Sequence, residues 1–236
     1  MLHDDRSTSP AAPDLAGVRR RLERIRQQVT KAAGDRPVTV VAVTKGFGPE
    51  AVAVVRAAGI EDVGESYAQE LALKAAATTA AATTSAPPRW HFLGSVQRRK
   101  VRDLAPLVHL WQSVDREAAA AEIARHAPGA AALVQVNVTG GPGRNGCTWE
   151  AAPALVERSR ALGLDVRGLM AVAGRTDPRT EFRRLARLAR DLELTELSMG
   201  MSGDLDVALD EGSTMIRVGR ALFGVRPVPD PDGRRR

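Results

Sequence analysis

The chain has 236 residues, of which 44% are hydrophobic and 26% are charged, so it can bury a core and does not have the composition of a disordered chain. The single cysteine, Cys147, excludes an internal disulfide and an all-cysteine metal site. The formal net charge of +6 includes an arginine-rich C-terminal tail, so the body of the protein is only weakly basic. The N-terminal MLHDDRSTSP lacks the apolar stretch of a signal peptide, and no apolar run approaches the ~18 residues of a membrane span. We therefore expect a soluble, cytoplasmic protein.

Predicted helices and strands alternate along the chain. Apolar residues from Leu15 to Val29 recur every three or four positions and predict an amphipathic helix, with Pro13 in its first turn. The run Val38–Val43 is continuously apolar and β-branched, as in a strand buried on both faces. Seven further strands are predicted at Asp62–Glu65, Trp90–Ser95, Leu110–Val114, Leu133–Val138, Val166–Val172, Glu196–Met201 and Met215–Val218. Helices are predicted between them at Pro49–Ala58, Tyr67–Ala76, Arg98–Leu104, Arg116–His126, Trp149–Leu162, Pro178–Leu192 and Gly203–Glu211.

Eight strand-then-helix units in about 200 residues favour the α/β class and a single (β/α)8 TIM barrel, with one extra helix at the N-terminus. An open, doubly wound sheet is the alternative, because two wrongly assigned strands would give a similar pattern. We expect the barrel to span residues 13–225, between a flexible N-terminus at 1–12 and a flexible tail at 226–236. The alanine- and threonine-rich stretch Ala75–Pro88 predicts a flexible excursion before the third strand.

Lys45 ends the first strand, in the run VTVVAVTKG. In a TIM barrel this end of each strand faces the active site. An apolar wall beside an amine favours its uncharged form, which is the form that condenses with an aldehyde to a Schiff base. The alternative is a lysine whose side chain simply extends to solvent.

Two glycine-rich connections near the C-terminus predict a phosphate site. SMGMSGDLDVALDEG passes from strand to helix through Ser202, and MIRVGRALFG does the same at Gly219. Small residues and free N–H groups suit an anion there, and the seventh and eighth βα loops of such barrels often bind phosphate. Alternatively, these are ordinary turn residues and Ser202 is only a helix cap. Arg217 lies within the last strand and must be paired or directed at a ligand, because burying its charge alone is costly.

Other patterns are less specific. GPGRNG at 141–146 is a literal G-x-G-x-x-G, but its internal proline, the late start of the next helix and the absence of an acid after the next strand argue against dinucleotide binding. His91 and Asn137 end strands, although a lone histidine is more often structural. The four histidines show no metal-ligand spacing. The basic residues at 98–102 either attract an anion or nucleic acid, or form a solvated helix face.

Seven segments, in order over nearly the whole chain, carry a resemblance to one family. They are VAVTK, VGESYAQE, WHFLGSVQ, QVNV, RGLMAV, LSMGMSGDLDVAL and GSTMIRVGRALFG. The sequence resembles the pyridoxal phosphate homeostasis proteins, which bind pyridoxal 5′-phosphate (PLP). The resemblance implies a barrel like the N-terminal domain of alanine racemase and PLP held as an internal aldimine on Lys45. It also implies a role in vitamin B6 balance.

The resemblance assigns cofactor-binding residues and no metal or catalytic residue. Arg217 is implied at the ring nitrogen, and Ser202, Gly219 and Arg220 at the phosphate. The complete implied set is Lys45, His91, Asn137, Met170, Ser198, Gly200, Met201, Ser202, Arg217, Gly219 and Arg220. The sequence departs from the family pattern at Ser66, where GES replaces GEN, and in QRRK and GRNG, which replace QSNK and SKSG.

An arginine at the pyridine nitrogen leaves the ring unprotonated and weakens PLP as an electron sink. Alanine racemases supply a second acid from an additional domain and a partner subunit, whereas this chain has one tyrosine, Tyr67. We therefore expect a monomeric buffer and carrier of PLP without turnover, which passes PLP to recipient apo-enzymes and has no membrane or nucleic-acid partner. The alternatives are a PLP-dependent amino-acid racemase on the same barrel, and a partner- or nucleic-acid-binding module that uses the basic cluster.

Overall fold

Eight parallel strands pair in sequence order, and the last pairs with the first, so that they close a barrel. The computed structural model describes residues 13–81, 86–141 and 143–224. The strands are β1 Thr39–Val43, β2 Asp62–Glu65, β3 Arg89–Phe92, β4 Val108–Val114, β5 Ala131–Val136, β6 Asp165–Ala171, β7 Glu196–Ser198 and β8 Met215–Val218. In the closing pair, Thr39 lies opposite Met215 and Ala42 opposite Val218. The TIM-barrel prediction is confirmed, and the open sheet is excluded.

Helices follow the strands and cover the outside of the barrel. They are α1 Leu15–Ala33, α2 Glu50–Ala57, α3 Ala68–Ala81, α4 Arg98–Leu104, α5 Glu117–His126, α6 Ala152–Ala161, α7 Pro178–Asp191, α8 Leu205–Asp210 and α9 Arg220–Phe223. The extra N-terminal helix α1 packs against α2, α8 and α9. It begins at Leu15 rather than at Pro13, because the Asp14 carboxylate accepts hydrogen bonds from the N–H groups of Ala16 and Gly17 and caps it.

Residues 75–81 belong to α3, so the prediction of a flexible excursion over Ala75–Pro88 is wrong for this part. Alanine has the highest helix propensity, and a low-complexity composition does not cancel it. The hydroxyls of Thr78 and Thr79 donate to the carbonyls of Lys74 and Ala75 within the helix. Residues 82–85, and the predicted flexible termini at 1–12 and 226–236, lie outside the described residues.

The GPGRNG loop folds back on β5 instead of opening a helix. The Cys147 N–H donates to the Gln135 carbonyl at 2.9 Å, and the Asn137 N–H donates to the Cys147 carbonyl at 2.8 Å. Gly146 has a φ of +117°, and a Cβ there would lie 2.4 Å from the Asn137 nitrogen. The following helix begins only at Ala152. These features differ from a dinucleotide fingerprint, whose glycines open the helix directly.

Part of the barrel interior is an apolar cluster of Val41, Leu110, Ala131, Leu133, Met170 and Met215. A larger apolar cluster lies between the strands and the surrounding helices. No helix within the described ranges is long and apolar enough to cross a bilayer.

Candidate functional site

A cavity of about 740 Å³ opens at the carboxyl ends of the strands. Seven of the predicted site residues line it, and they are Lys45, Met170, Met201, Ser202, Arg217, Gly219 and Arg220. Ser66, Gln135, Asn145, Arg175 and Asp204 also line it. The cavity therefore lies where TIM barrels place their active sites.

Lys45 occupies a tight turn directly after β1. The Phe47 N–H donates to the Thr44 carbonyl at 3.0 Å, which closes a four-residue turn with Lys45 at its second position. Gly46, at the third position, has a φ of +78°, and type II turns favour glycine there because other residues rarely adopt that φ. The turn projects the half-buried Lys45 from the strand end into the cavity lining.

Buried charges surround this turn. Lys74 of α3 is only 1% exposed and forms an ion pair with Glu65, which is fully buried at the end of β2. The Lys74 ammonium also donates to the Thr44 carbonyl at 2.8 Å and lies 3.3 Å from the Glu70 carboxylate. Burial raises the pKa of the Glu65 carboxyl, while Lys74 and the Thr44 hydroxyl act to lower it. A lysine that we had not singled out from the sequence thus contacts the backbone beside Lys45.

Because β8 pairs with β1, the loops after β7 and β8 line the cavity next to the lysine turn, with the backbone of Ser202, Gly203 and Gly219 and the side chains of Met201, Asp204 and Arg220. The N–H groups of Ser202 and Gly203 donate no hydrogen bond to any other described residue. A Cβ added to Gly203 would meet no atom within 4 Å, so this backbone faces open space. The Ala221 N–H donates to the Ser202 hydroxyl at 3.0 Å and joins the seventh loop to α9.

Arg217 lies at the base of the cavity and is 4% exposed. Its guanidinium donates from Nη1 to the Ser198 hydroxyl at 2.7 Å and from Nη2 to the Ala171 carbonyl at 2.8 Å. Burial lowers the pKa of Arg217 to about 10, while the charge of Asp204 acts in the opposite direction. Arg217 therefore stays protonated at neutral pH, and it offers the cavity a donor that does not accept a proton.

A chain of hydrogen bonds behind Arg217 crosses the barrel interior. With every donor facing an acceptor, Ser198 Oγ donates to Gln112 Oε1 at 2.6 Å, and Gln112 Nε2 donates to His91 Nδ1 at 2.7 Å. His91 Nε2 then donates to Asp62 Oδ1 at 2.9 Å, and Arg89 binds both oxygens of Asp62. Burial acts to raise the pKa of Asp62, but hydrogen bonds from Arg89 and His91 hold it well below its usual range. The chain fixes the position of Ser198, and through it the guanidinium of Arg217.

Four predicted cofactor-binding residues do not line the cavity, and they are His91, Asn137, Ser198 and Gly200. His91 and Ser198 point into the barrel interior as members of the hydrogen-bond chain. The Asn137 amide turns back to its own loop, where it donates to the Gly141 carbonyl at 3.1 Å. Gly200 is buried against Ala208. A position near the end of a predicted strand therefore does not determine whether a residue faces the cavity.

The structure also locates the departures from the family pattern. Ser66 lines the cavity, and its N–H donates to Glu65 Oε2 at 3.2 Å. The basic residues at 98–102 lie on α4, where Val101 and Leu104 face the core while Arg98, Arg99 and Arg102 are exposed. This placement favours a solvated helix face. Among the described residues, no cluster of histidine, cysteine and acidic side chains is suited to a metal ion.

Two residues of the site, Gln112 and Lys74, were not predicted from the sequence. Gln112 lies beside Ser113 within the predicted strand Leu110–Val114, and these two polar residues in a strand expected to be buried were a usable signal. Lys74 follows Glu70 by four residues, which is the spacing of an ordinary surface pair on a helix. Nothing in the sequence distinguishes this buried pair from an exposed one.

The family model of the alanine racemase N-terminal domain matches residues 14–227, so the barrel belongs to this domain family. A "Pyridoxal phosphate homeostasis protein" from Pseudomonas aeruginosa is 38% identical over 94% of this chain and 99% of its own length. A protein of the same description from Deinococcus radiodurans is 38% identical over 89% of this chain and 97% of its own. The chain belongs to the pyridoxal phosphate homeostasis protein family.

Solved structures share the fold of this chain. PipY from Synechococcus elongatus, solved with PLP bound, is 31% identical with a TM-score of 0.74, and the match covers 88% of this chain and all of that one. The same protein without PLP has a TM-score of 0.78. Alanine racemase from Corynebacterium glutamicum, 17% identical with a TM-score of 0.66, shares the fold over 92% of this chain and 63% of its own.

Proposed function

We propose that this protein binds PLP in the cavity, covalently on Lys45, and acts in PLP homeostasis as an intracellular buffer and carrier. The observation that carries the proposal is the arrangement of Lys45 in one cavity with unpartnered loop N–H groups and a buried arginine. The names of the relatives and the PLP-bound structure of PipY support it.

Each part of the cavity suits one part of the cofactor. The N–H groups of Ser202 and Gly203, with Gly219 and Arg220 beside them, suit a phosphate dianion. Arg217 suits the pyridine nitrogen as a donor that leaves the ring unprotonated. The Lys45 amine adds to the aldehyde carbon, and one water leaves as the C=N bond forms. When bound, PLP supplies an electrophilic aldehyde and an electron-withdrawing ring.

Two observations favour a carrier over a racemase. A racemase needs proton donors on both faces of the substrate, and among the described residues that line the cavity Lys45 is the only lysine and there is no tyrosine or histidine. Tyr67 is 58% exposed and does not line the cavity. A permanently protonated Arg217 at the ring nitrogen also weakens the stabilisation of a carbanion. We infer that the protein is a monomer that passes PLP to apo-enzymes.

The test is reduction of the PLP-loaded protein with borohydride, followed by peptide mapping. We expect the wild type to be yellow and to carry a phosphopyridoxyl group on Lys45. Lys45→Ala should lose the adduct almost completely while retaining weak PLP binding through the phosphate loops. Lys100→Ala, on the outer helix α4, is the matched control and should trap like the wild type. An unchanged adduct in Lys45→Ala would refute the attachment site.

A second measurement separates carrier from enzyme. The loaded protein is incubated with free amino acids in deuterated water, and exchange of the α-proton is followed by NMR. A carrier should show no exchange above that of free PLP. Exchange with turnover in the wild type and none in Lys45→Ala would establish the racemase alternative instead.

A further inference from the structure

Two charged side chains of α3 bind the two peptide groups that flank Lys45. The Lys74 ammonium donates to the Thr44 carbonyl at 2.8 Å, on the N-terminal side of Lys45. On the C-terminal side, the Gly46 N–H donates to Glu70 Oε2 at 3.0 Å. Glu70 and Lys74 lie one turn apart on α3, so a single helix holds both ends of the lysine turn.

Glu65 completes the arrangement from the neighbouring strand. It forms the buried ion pair with Lys74 and accepts a hydrogen bond from the Thr44 hydroxyl at 2.7 Å. Its second oxygen accepts from the Ser66 N–H at 3.2 Å. Thr44 is therefore held through both its side chain and its carbonyl, and β1, β2 and α3 meet at the residue before Lys45.

General stability does not account for these charges. Desolvation of a buried ion pair largely cancels the attraction between its members, and well-packed apolar residues often serve a fold equally well. A fixed backbone, by contrast, matters for a lysine that must react. Its side chain has four rotatable bonds, so the direction of its first bond decides which part of the cavity the amine can reach.

We propose that Lys74, Glu65 and Glu70 are positioning residues that hold the Lys45 turn so that its amine meets the PLP aldehyde. The proposal rests on the attachment at Lys45 proposed above. Positioned groups react far faster than loosely held ones, and small displacements cost large factors in rate. Lys74 and Glu70 act through the peptide groups on either side of Lys45, and Glu65 acts through the Thr44 hydroxyl. Within the described residues, no hydrogen bond or ion pair joins the three to the phosphate loops.

The experiment compares two ligands that differ only at the reacting carbon. PLP carries the aldehyde, whereas pyridoxine 5′-phosphate has an alcohol in its place and binds through its ring and phosphate alone. For each variant we measure the rate at which PLP becomes trappable on Lys45 by borohydride, and the affinity for pyridoxine 5′-phosphate. The variants are Lys74→Met, Glu70→Ala and Glu70→Gln. Lys31→Met, at an exposed position on α1, is the control, and urea unfolding checks each variant.

We expect Lys74→Met and Glu70→Ala to slow attachment about tenfold or more, with the affinity for pyridoxine 5′-phosphate changed less than about threefold. Glu70→Gln keeps an acceptor oxygen for the Gly46 N–H and should restore most of the rate. Because the Glu70 side chain is 35% exposed, its variants should fold even if Lys74→Met does not.

Two results would overturn the proposal: attachment at the wild-type rate in Glu70→Ala, or an equal loss for both ligands, which would show only general damage to the fold. A failure of the proposed function would give a different result, because the wild-type protein itself would then trap PLP at a residue other than Lys45.

Discussion

Two parts of the cavity wall, the lysine side and the phosphate side, differ in the residues that form them. On the lysine side, at the ends of β1 and β2, the buried charges Lys74 and Glu65 fix a turn of the backbone. On the phosphate side, at the ends of β7 and β8, Ser202, Gly203 and Gly219 offer backbone N–H groups and little side-chain bulk. A reacting amine must point in one direction, whereas a phosphate is recognised by several donors that need only close approach. The lysine side therefore relies on a buried ion pair, whereas the phosphate side combines loop backbone with the buried Arg217 and the side chains of Asp204 and Arg220.

Helix α9 connects the two sides. The ring of Phe47, at the end of the lysine turn, lies 4.7 Å from the ring of Phe223 in α9. Ala221 in the same helix donates to the Ser202 hydroxyl. The distance between the lysine turn and the phosphate loops is therefore set by the β1–β8 strand pair together with this apolar packing and hydrogen bond. Variants on either side test how independent the two sides are.

The largest effect on stability and reactivity is expected at Arg217, at the base of the cavity. Arg217→Glu places a carboxylate against the Ala171 carbonyl, and we expect it to lower the free energy of unfolding by about 3 kcal/mol. With PLP bound, the carboxylate should favour a protonated ring and strengthen the electron sink. Formation of pyridoxamine 5′-phosphate from PLP and free amino acids should rise about tenfold or more, as measured by chromatography.

Arg217→Met is the matched control, because it removes the guanidinium without adding a carboxylate. It should bind PLP more weakly and should not accelerate this side reaction. Equal rates of pyridoxamine 5′-phosphate formation in Arg217→Glu and Arg217→Met would contradict the ring contact.

A smaller and more local effect is expected at Gly200, which supports the seventh loop. Its φ is +96°, and a Cβ there would lie 2.6 Å from the Cβ of Ala208, so Gly200→Ala must displace the loop. We expect affinity for PLP to fall about tenfold, and trapping of unphosphorylated pyridoxal on Lys45 to change less than about threefold.

Gly212→Ala separates backbone strain from the clash. Gly212 has a nearly identical φ of +97°, and a Cβ there would meet no atom within 4 Å. It should lower stability without altering PLP affinity. A proportional loss of pyridoxal trapping in Gly200→Ala would show that the phosphate side also positions the amine.

The sequence predicts the barrel well because its signals are local. The β-branched apolar run before Lys45 strongly favours a buried strand. The observed bounds of β2, β8 and α4 are the predicted ones. Lys45 was predicted to face the cavity because the carboxyl ends of the strands in a TIM barrel face the active site. The stretch after Ala75 was misjudged because its composition suggested a linker, although alanine favours helix.

The parts of the site that escaped prediction depend on tertiary contacts. His91 lies near the end of β3, but its side chain points into the barrel, where Asp62 and Gln112 bind it. Lys74 looks like half of a surface pair with Glu70 until the fold buries it against Glu65. Inward and outward directions, and the burial of a charge, emerge only when distant segments pack.

The most direct test is a crystal structure of the protein grown with PLP. We predict continuous density from Lys45 Nζ to the aldehyde carbon, and the pyridine nitrogen within about 3.2 Å of the Arg217 guanidinium. The phosphate should contact the N–H groups of Ser202 and Gly203 beside Gly219. A phosphate bound elsewhere, or a Lys45 amine turned out to solvent with PLP present, would contradict the account.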